Sequence, residues 1–173
     1  MGKLYFMIGI ARSGKSTIAK QWETFGIDIE HGEIRPRLFP HYQMKGVTEL
    51  PRVVVCADDI RLTFGFRFNW RMENYVHAIK ETMIRALLEK HDVLSDGTHS
   101  TVGSVKALLN IDINADYCRM ETSVEECCKR ARDTNQPDLI PVIERMDKQL
   151  ASLPPVDEIR EEVRKSQSFK TVV

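Results

Sequence analysis

Residues Gly9-Ile-Ala-Arg-Ser-Gly-Lys-Ser-Thr17 match G-x-x-x-x-G-K-[S/T] over its whole length. The flanking residues give that pattern the setting it needs. Lys3–Ile8 is a short apolar run of the kind that forms a buried strand. Ser16–Phe25 reads as a helix, with Gly26 as its stop. A strand, a glycine loop and a helix in that order make a cradle for phosphate. Gly9 and Gly14 allow successive backbone N–H groups to curl around phosphate oxygens, and the helix N-terminus adds a favourable dipole. Arg12 and Ser13 belong to the same cradle. Lys15 is expected to reach the β- and γ-phosphates, Ser16 to hold Mg²⁺ through its hydroxyl, and Thr17 to stand near the α-phosphate. ATP and Mg²⁺ are therefore the expected ligands.

The rest of the chain alternates strand and helix signals. Arg52–Cys56 is a β-branched run without alternation, as in a central parallel strand. Residues 71–90 have helical periodicity, with Val76, Ile79, Met83, Ala86 and Leu87 on one face. Asp92–Ser95 and Asp116–Met120 are two more short strands, separated by a short helix over 104–109. Ser123-Val-Glu-Glu126 is a capping box opening a helix to about Asp133, and Pro141 suits the first turn of the next. The tail from Asp157 to Lys165 is charged and compatible with a helix, with only a weak apolar stripe. Residues 27–51 have no clean period and are read as an irregular excursion with at most a short hairpin. The pattern predicts one α/β domain, a central parallel sheet covered by helices on both faces, with a small lid over about 123–140.

Composition narrows the partners. Lysine plus arginine equals aspartate plus glutamate at 25 each, so the chain does not coat nucleic acid by bulk charge, although a local basic groove remains open to it. No segment approaches the ~20 apolar residues of a membrane span, and the N-terminal apolar run is too short for a secretion signal. The four cysteines lack C-x-x-C spacing, which favours reduced thiols in a cytoplasmic protein over disulfides or zinc.

A second constellation narrows the reaction. Asp58-Asp59-x-Arg61 follows the Arg52–Cys56 strand at its carboxyl end, where ligands bind in open parallel sheets. A carboxylate there can take the proton of an attacking hydroxyl, and Arg61 can bind a phosphate on the acceptor. The competing reading is an acidic pair capping the next helix. The third strand ends in Ser95-Asp96-Gly97-Thr98-His99, where Asp96 is expected to help order Mg²⁺ and Thr98 to contact the acceptor. Arg130, then Arg132, are candidates for a lid arginine over the transferring phosphate. The alternative for Arg130 is an ordinary helical pair with Glu126.

Taken together, these motifs resemble the 5′-hydroxyl kinase domain of phage polynucleotide kinases, within the wider group of P-loop kinases. The resemblance runs from about Lys3 to Leu150, excluding 27–51. It implies a P-loop kinase fold, with Asp58 as general base toward a nucleic-acid 5′-hydroxyl, Asp59 beside it and Arg61 on the acceptor's 3′-phosphate side. Arg130 takes the place of the lid arginine. The excursion is longer than the family's usual connection and is expected to reshape the acceptor entrance. No D-x-D-x-T signature follows, so an accompanying 3′-phosphatase is not expected.

Arg61-Leu-Thr-Phe-Gly-Phe-Arg-Phe-Asn-Trp-Arg71 interleaves four aromatics with arginines just after the proposed base. Such rings can stack on the bases of a DNA or RNA end, or pack on the sheet as a buried edge. Arg35, Arg37 and Lys45 form either a basic rim or solvated charge. Two rival functions stay open: a kinase of a nucleoside, sugar acid or antibiotic hydroxyl, and a noncatalytic nucleotide switch.

Overall fold

The computed structural model describes residues 1–25, 27–30, 33–36, 51–66 and 68–170, without the side chains of 24–25, 27–30, 33–36 and 169–170. Gly26, Arg37, Lys45, Arg67 and the Arg35 side chain thus lie outside what is described here. Four strands, β1 (Leu4–Ile8), β4 (Arg52–Cys56), β5 (Asp92–Asp96) and β6 (Asp116–Arg119), form one sheet in the order β4-β5-β1-β6. Every pairing in it is parallel. β2 (Ile27–Glu30) and β3 (Glu33–Pro36) make a separate antiparallel hairpin.

Because β1 is central, its alternate residues are buried on opposite faces. Leu4, Phe6 and Ile8 join one core cluster and Met7 joins the other. The second, smaller cluster lies under α1 (Lys15–Phe25), where Ala19 and a fully buried Trp22 meet Leu94 and Cys118. The larger one is covered by α3 (Glu73–Leu87), α4 (Val102–Leu109), α5 (Val124–Asp133), α6 (Ile140–Ala151) and α7 (Val156–Lys170). A seven-residue helix, α2 (Ala57–Thr63), follows β4, and a 3₁₀ turn over Pro137–Leu139 joins α5 to α6. No helix among the described residues is long and apolar enough to cross a membrane. All four cysteines are free thiols.

One expectation is corrected. The buried face of α3 is Val76, Lys80 and Ile84, continuing to Leu88, while Met83 and Ala86 face solvent. A lysine at a core-facing position disguised the stripe. The weak stripe of the tail is enough for a packed helix, since Val156, Ile159 and Val163 are all buried and α7 lies along α4. Arg160 ties it further, donating to the carbonyls of Ile113 at 2.6 Å and Ala115 at 3.1 Å. Ile159→Ala should lower unfolding free energy by about 2–5 kcal/mol, read by denaturant titration; a change below 0.5 kcal/mol would mean that α7 is only loosely attached. The hairpin packs beside β6 and α1. β6 and β4 are opposite edges of the sheet, so this hairpin stands away from β4, while residues 37–50, the rest of the excursion expected to reshape the acceptor entrance, lie outside the described residues.

Candidate active site

The chain leaves β1 for β4 on one side and leaves β5 for β6 on the other, so the crossovers diverge between β1 and β5. In open parallel sheets that divergence opens a crevice at the carboxyl ends of the strands. The loop from Gly9 to Gly14 fills one wall of it. Its entry is fixed by the Gly9 N–H, which donates to the Thr98 carbonyl at 3.0 Å. A Cβ on Gly9 would lie 2.9 Å from Met120 side-chain carbons and from Ser13 Oγ, so the loop approaches β6 too closely for any side chain there. Gly14 has φ +99°, which favours glycine, and Arg12 also has positive φ. The Ser13 carbonyl accepts from Thr122 Oγ1 at 2.8 Å, which anchors the loop to the segment after β6.

Lys15 and Ser16 open α1 and point into this crevice. Lys15 Nζ is buried and donates to the Ile10 carbonyl at 2.6 Å, folded back along its own loop. Burial pushes its ammonium below the ordinary lysine value, and Asp96, Cys127 and Asp58 act against that, Asp96 most. Ser16 Oγ donates to Asp96 Oδ2 at 2.8 Å, bridging the first turn of α1 to the end of β5. Two hard oxygens, one neutral and one anionic, suit a Mg²⁺ that keeps most of its waters and takes the rest of its ligands from phosphate. Thr17 is exposed on the first turn of α1, its N–H bonded to the Gly14 carbonyl. A cleft of about 620 Å³ runs over residues 12–18 and is closed on its far side by Met120, Thr122, Arg130 and Thr134.

Arg130 does two things at once. Its Nε donates to Glu126 Oε1 at 2.8 Å, the helical pair expected from spacing, while Nη1 donates to the Arg12 carbonyl at 3.2 Å. Nη1 would stand 3.7 Å from a Cβ on Gly14. The guanidinium therefore lies against the phosphate loop as well as on its own helix. Arg12 reaches the other way, to Gln136 Oε1 after α5. Arg132 is exposed.

On the opposite wall, β4 ends and α2 begins, with Asp58 and Asp59 in its first turn. Asp59 is exposed. The Asp58 side chain is 78% exposed and accepts from Arg61 Nη1 at 2.5 Å. Arg61 is itself only 13% exposed, because Glu73 of α3 takes its other edge, Nε to Oε1 at 2.9 Å and Nη2 to Oε2 at 2.5 Å. This fork is the strongest geometry an arginine can make with a carboxylate. It raises the Arg61 pKa and lowers that of Glu73. Arg61 is thus a fixed bracket for Asp58, which it meets through its Nη1 edge. Glu73 was missed in the sequence because its partner is 12 residues away across a turn.

β5 separates β4 from β1. At one strand spacing on each side, the backbones bearing Asp58 and Lys15 start roughly 10 Å apart. The floor between them is Asp96-Gly97. A second lysine reaches that floor. Lys80 Nζ, buried, donates to the Asp96 carbonyl at 2.8 Å, and burial pulls its pKa down to about 8. His99, with φ +40°, is buried beside it, its Nε2 3.1 Å from Ser95 Oγ. Burial and then the Lys80 charge hold its imidazole well below the ordinary value, so it is neutral. Thr98, half-buried, meets the site through its carbonyl bond to Gly9.

Lys80 makes stability depend on pH in a fixed direction. Below pH 8 it is charged in both folded and unfolded chains, and its burial cost is present in full. Between pH 8 and the unfolded value of 10.5, the folded chain loses the proton first and gains stability relative to the unfolded one. The melting temperature of Lys80→Met minus that of wild type should therefore fall as pH rises from 8 to 10. A difference that is flat with pH would place the ammonium in water.

No family model and no curated protein matches the chain. Solved structures do. A chain of the Pnkp1/Rnl/Hen1 RNA repair complex superposes with a TM-score of 0.61 at 22% identity, covering 87% of this chain and 44% of that one. A second structure of the Pnkp1/Rnl/Hen1 complex gives 0.53 at 23% identity, over 75% and 39%. APE1195 gives 0.54 at 16% identity, over 99% and 96%. The chain thus spans less than half the length of the repair-complex chains it resembles. The likeness shows the fold alone, an α/β architecture shared with these chains.

Proposed function

We propose that the chain is an ATP-dependent, Mg²⁺-requiring kinase that phosphorylates the 5′-hydroxyl end of DNA or RNA. The observation that carries this reading is the surface next to Asp58. Of the four aromatics after α2, Phe66 is half-buried against the core and stacks with Phe64 at 6.3 Å. Phe64, Phe68 and Trp70 are 54%, 72% and 72% exposed. Three large rings left in water beside a candidate base mark a binding surface. Arg61 lies 5.8 Å from the centre of the Phe68 ring and Arg71 lies 5.2 Å from that of Trp70, so the rings carry positive charge with them. Rings and arginines in alternation suit a single strand, with bases stacked and phosphates paired. The likeness to a chain of an RNA repair complex agrees with this substrate.

In the proposed reaction the 5′-oxygen attacks the γ-phosphorus, its proton passes to the Asp58 carboxylate, and the bond to the β–γ bridging oxygen breaks to release ADP. Lys15 leaves the Ile10 carbonyl to meet the β- and γ-phosphates. Mg²⁺, held by Ser16 and by Asp96 through water, would neutralise the same oxygens. The loop from Gly9 to Thr17, with Arg12 and Ser13, cradles the triphosphate, and Arg130 neutralises charge from above. Arg61, braced by Glu73, sets the Asp58 carboxylate and offers Nη1 to the acceptor; Asp59 and Thr98 flank it.

Trp70→Ala tests the strand path. One lost base stack of ~1–3 kcal/mol should raise KM for a 5′-OH oligonucleotide about 5–150-fold, with KM for ATP unchanged. The rise should vanish for a dinucleotide too short to reach the ring. Equal KM values for long and short acceptors in wild type would contradict a strand path and favour a small-molecule acceptor.

A further inference from the structure

Two side chains of α3 reach the site, and they differ in one respect. Glu73 is fully engaged with Arg61. Lys80, two turns on, has one acceptor among the described residues, the Asp96 carbonyl. It is 7% exposed, so its two remaining N–H bonds have little water and no oxygen of another described residue to receive them. A buried ammonium with unmet donors is costly, and a leucine or methionine would fill this position between Val76 and Ile84 without that cost. The surroundings say what the unmet donors are for. Gly97 puts no side chain against Nζ: a Cβ there would stand 3.3 Å from Nζ and 3.0 Å from His99 Nε2. His99, being neutral, does not compete for an anion. Ser16, the other ligand of Asp96, approaches its carboxylate from the β1 side, whereas Lys80 takes its carbonyl.

We propose that Lys80 is a second phosphate-binding cation of the site, which contacts the transferring γ-phosphoryl group from the β5 floor, opposite Lys15. The inference rests on the kinase reading but not on the identity of the acceptor. In a loose transition state the charge is spread over three equatorial oxygens, and Lys15 and Arg130 approach from the loop side only. Lys80 supplies the missing direction, and Gly97 puts no side chain in its way.

The test compares Lys80→Met, Lys80→Arg and Gly97→Ala with wild type in the full chain with ATP and Mg²⁺. Two rates are read: transfer to whichever hydroxyl wild type phosphorylates, and the slow hydrolysis of ATP without acceptor. Lys80→Met should lose about 10²-fold in kcat for both, with KM for ATP within threefold of wild type. Lys80→Arg should recover part of that loss. Gly97→Ala, which crowds Nζ without removing it, should reproduce the kcat loss and serves as the deciding variant if Lys80→Met does not fold. Wild-type kcat in Lys80→Met or Gly97→Ala, even with a lowered melting temperature, overturns the proposal and leaves Lys80 as a brace for the Asp96 carbonyl. A wild type that labels nucleosides instead of strands overturns the acceptor assignment alone, because both rates remain readable.

Discussion

Asp58→Asn should lower phosphoryl transfer by about 10²–10⁴-fold while ATP binds with near wild-type affinity. The geometry explains why the two effects separate. Asp58 sits on α2 after β4, and the glycine loop proposed to hold the triphosphate joins β1 to α1, with β5 between them. Asparagine keeps the size and one oxygen for Arg61 Nη1, and Glu73 still holds the other edge of that guanidinium. The bracket survives; the group that accepts the proton does not. Transfer measured from γ-labelled ATP, beside calorimetric nucleotide binding, reads both. Wild-type turnover in Asp58→Asn would remove the residue from the chemistry, whatever else it holds.

Lys15→Ala should remove both properties. Transfer should fall by about 10³-fold or more, because the proposed role of the lost charge is to neutralise the phosphate oxygens. Nucleotide affinity should fall with it, which distinguishes this variant from Asp58→Asn. The folded chain should tolerate the change. Lys15 is buried and its pKa is lowered chiefly by that burial, so truncation removes a desolvated charge along with its bond to the Ile10 carbonyl. Thermal unfolding would show a midpoint near that of wild type. Retained ATP affinity in Lys15→Ala would mean that the loop binds nucleotide by its backbone alone.

The loop, its strand and its helix were legible in the sequence because the whole device is local: nine residues in a row carry the glycines, the lysine and the hydroxyl. The Ser123 cap of α5 was legible for the same reason, and its hydroxyl does accept the Glu126 N–H. Long-range relations were not. Nothing local says that β5 lies between β1 and β4, so Asp96 could be read as a strand-end acid but not as the floor between Lys15 and Asp58. Lys80 did leave a signal. It interrupts an otherwise apolar i, i+4 series from Val76 to Leu88, and a charged residue within such a series is worth examining as a buried functional group. Glu73 left none, since its fork with Arg61 depends on how the exposed aromatic turn folds back. The same turn was open to two readings, exposed rings or a packed edge, and three of the four rings face water.

The most direct measurement is a competition in which 5′-OH DNA, 5′-OH RNA and a free nucleoside, at equal concentration, share γ-labelled ATP and Mg²⁺. The site proposed here predicts that label appears on the 5′ end of a strand well ahead of the nucleoside, and that it disappears with Asp58→Asn. Label found mainly on the nucleoside, with both strands left untouched, would contradict it.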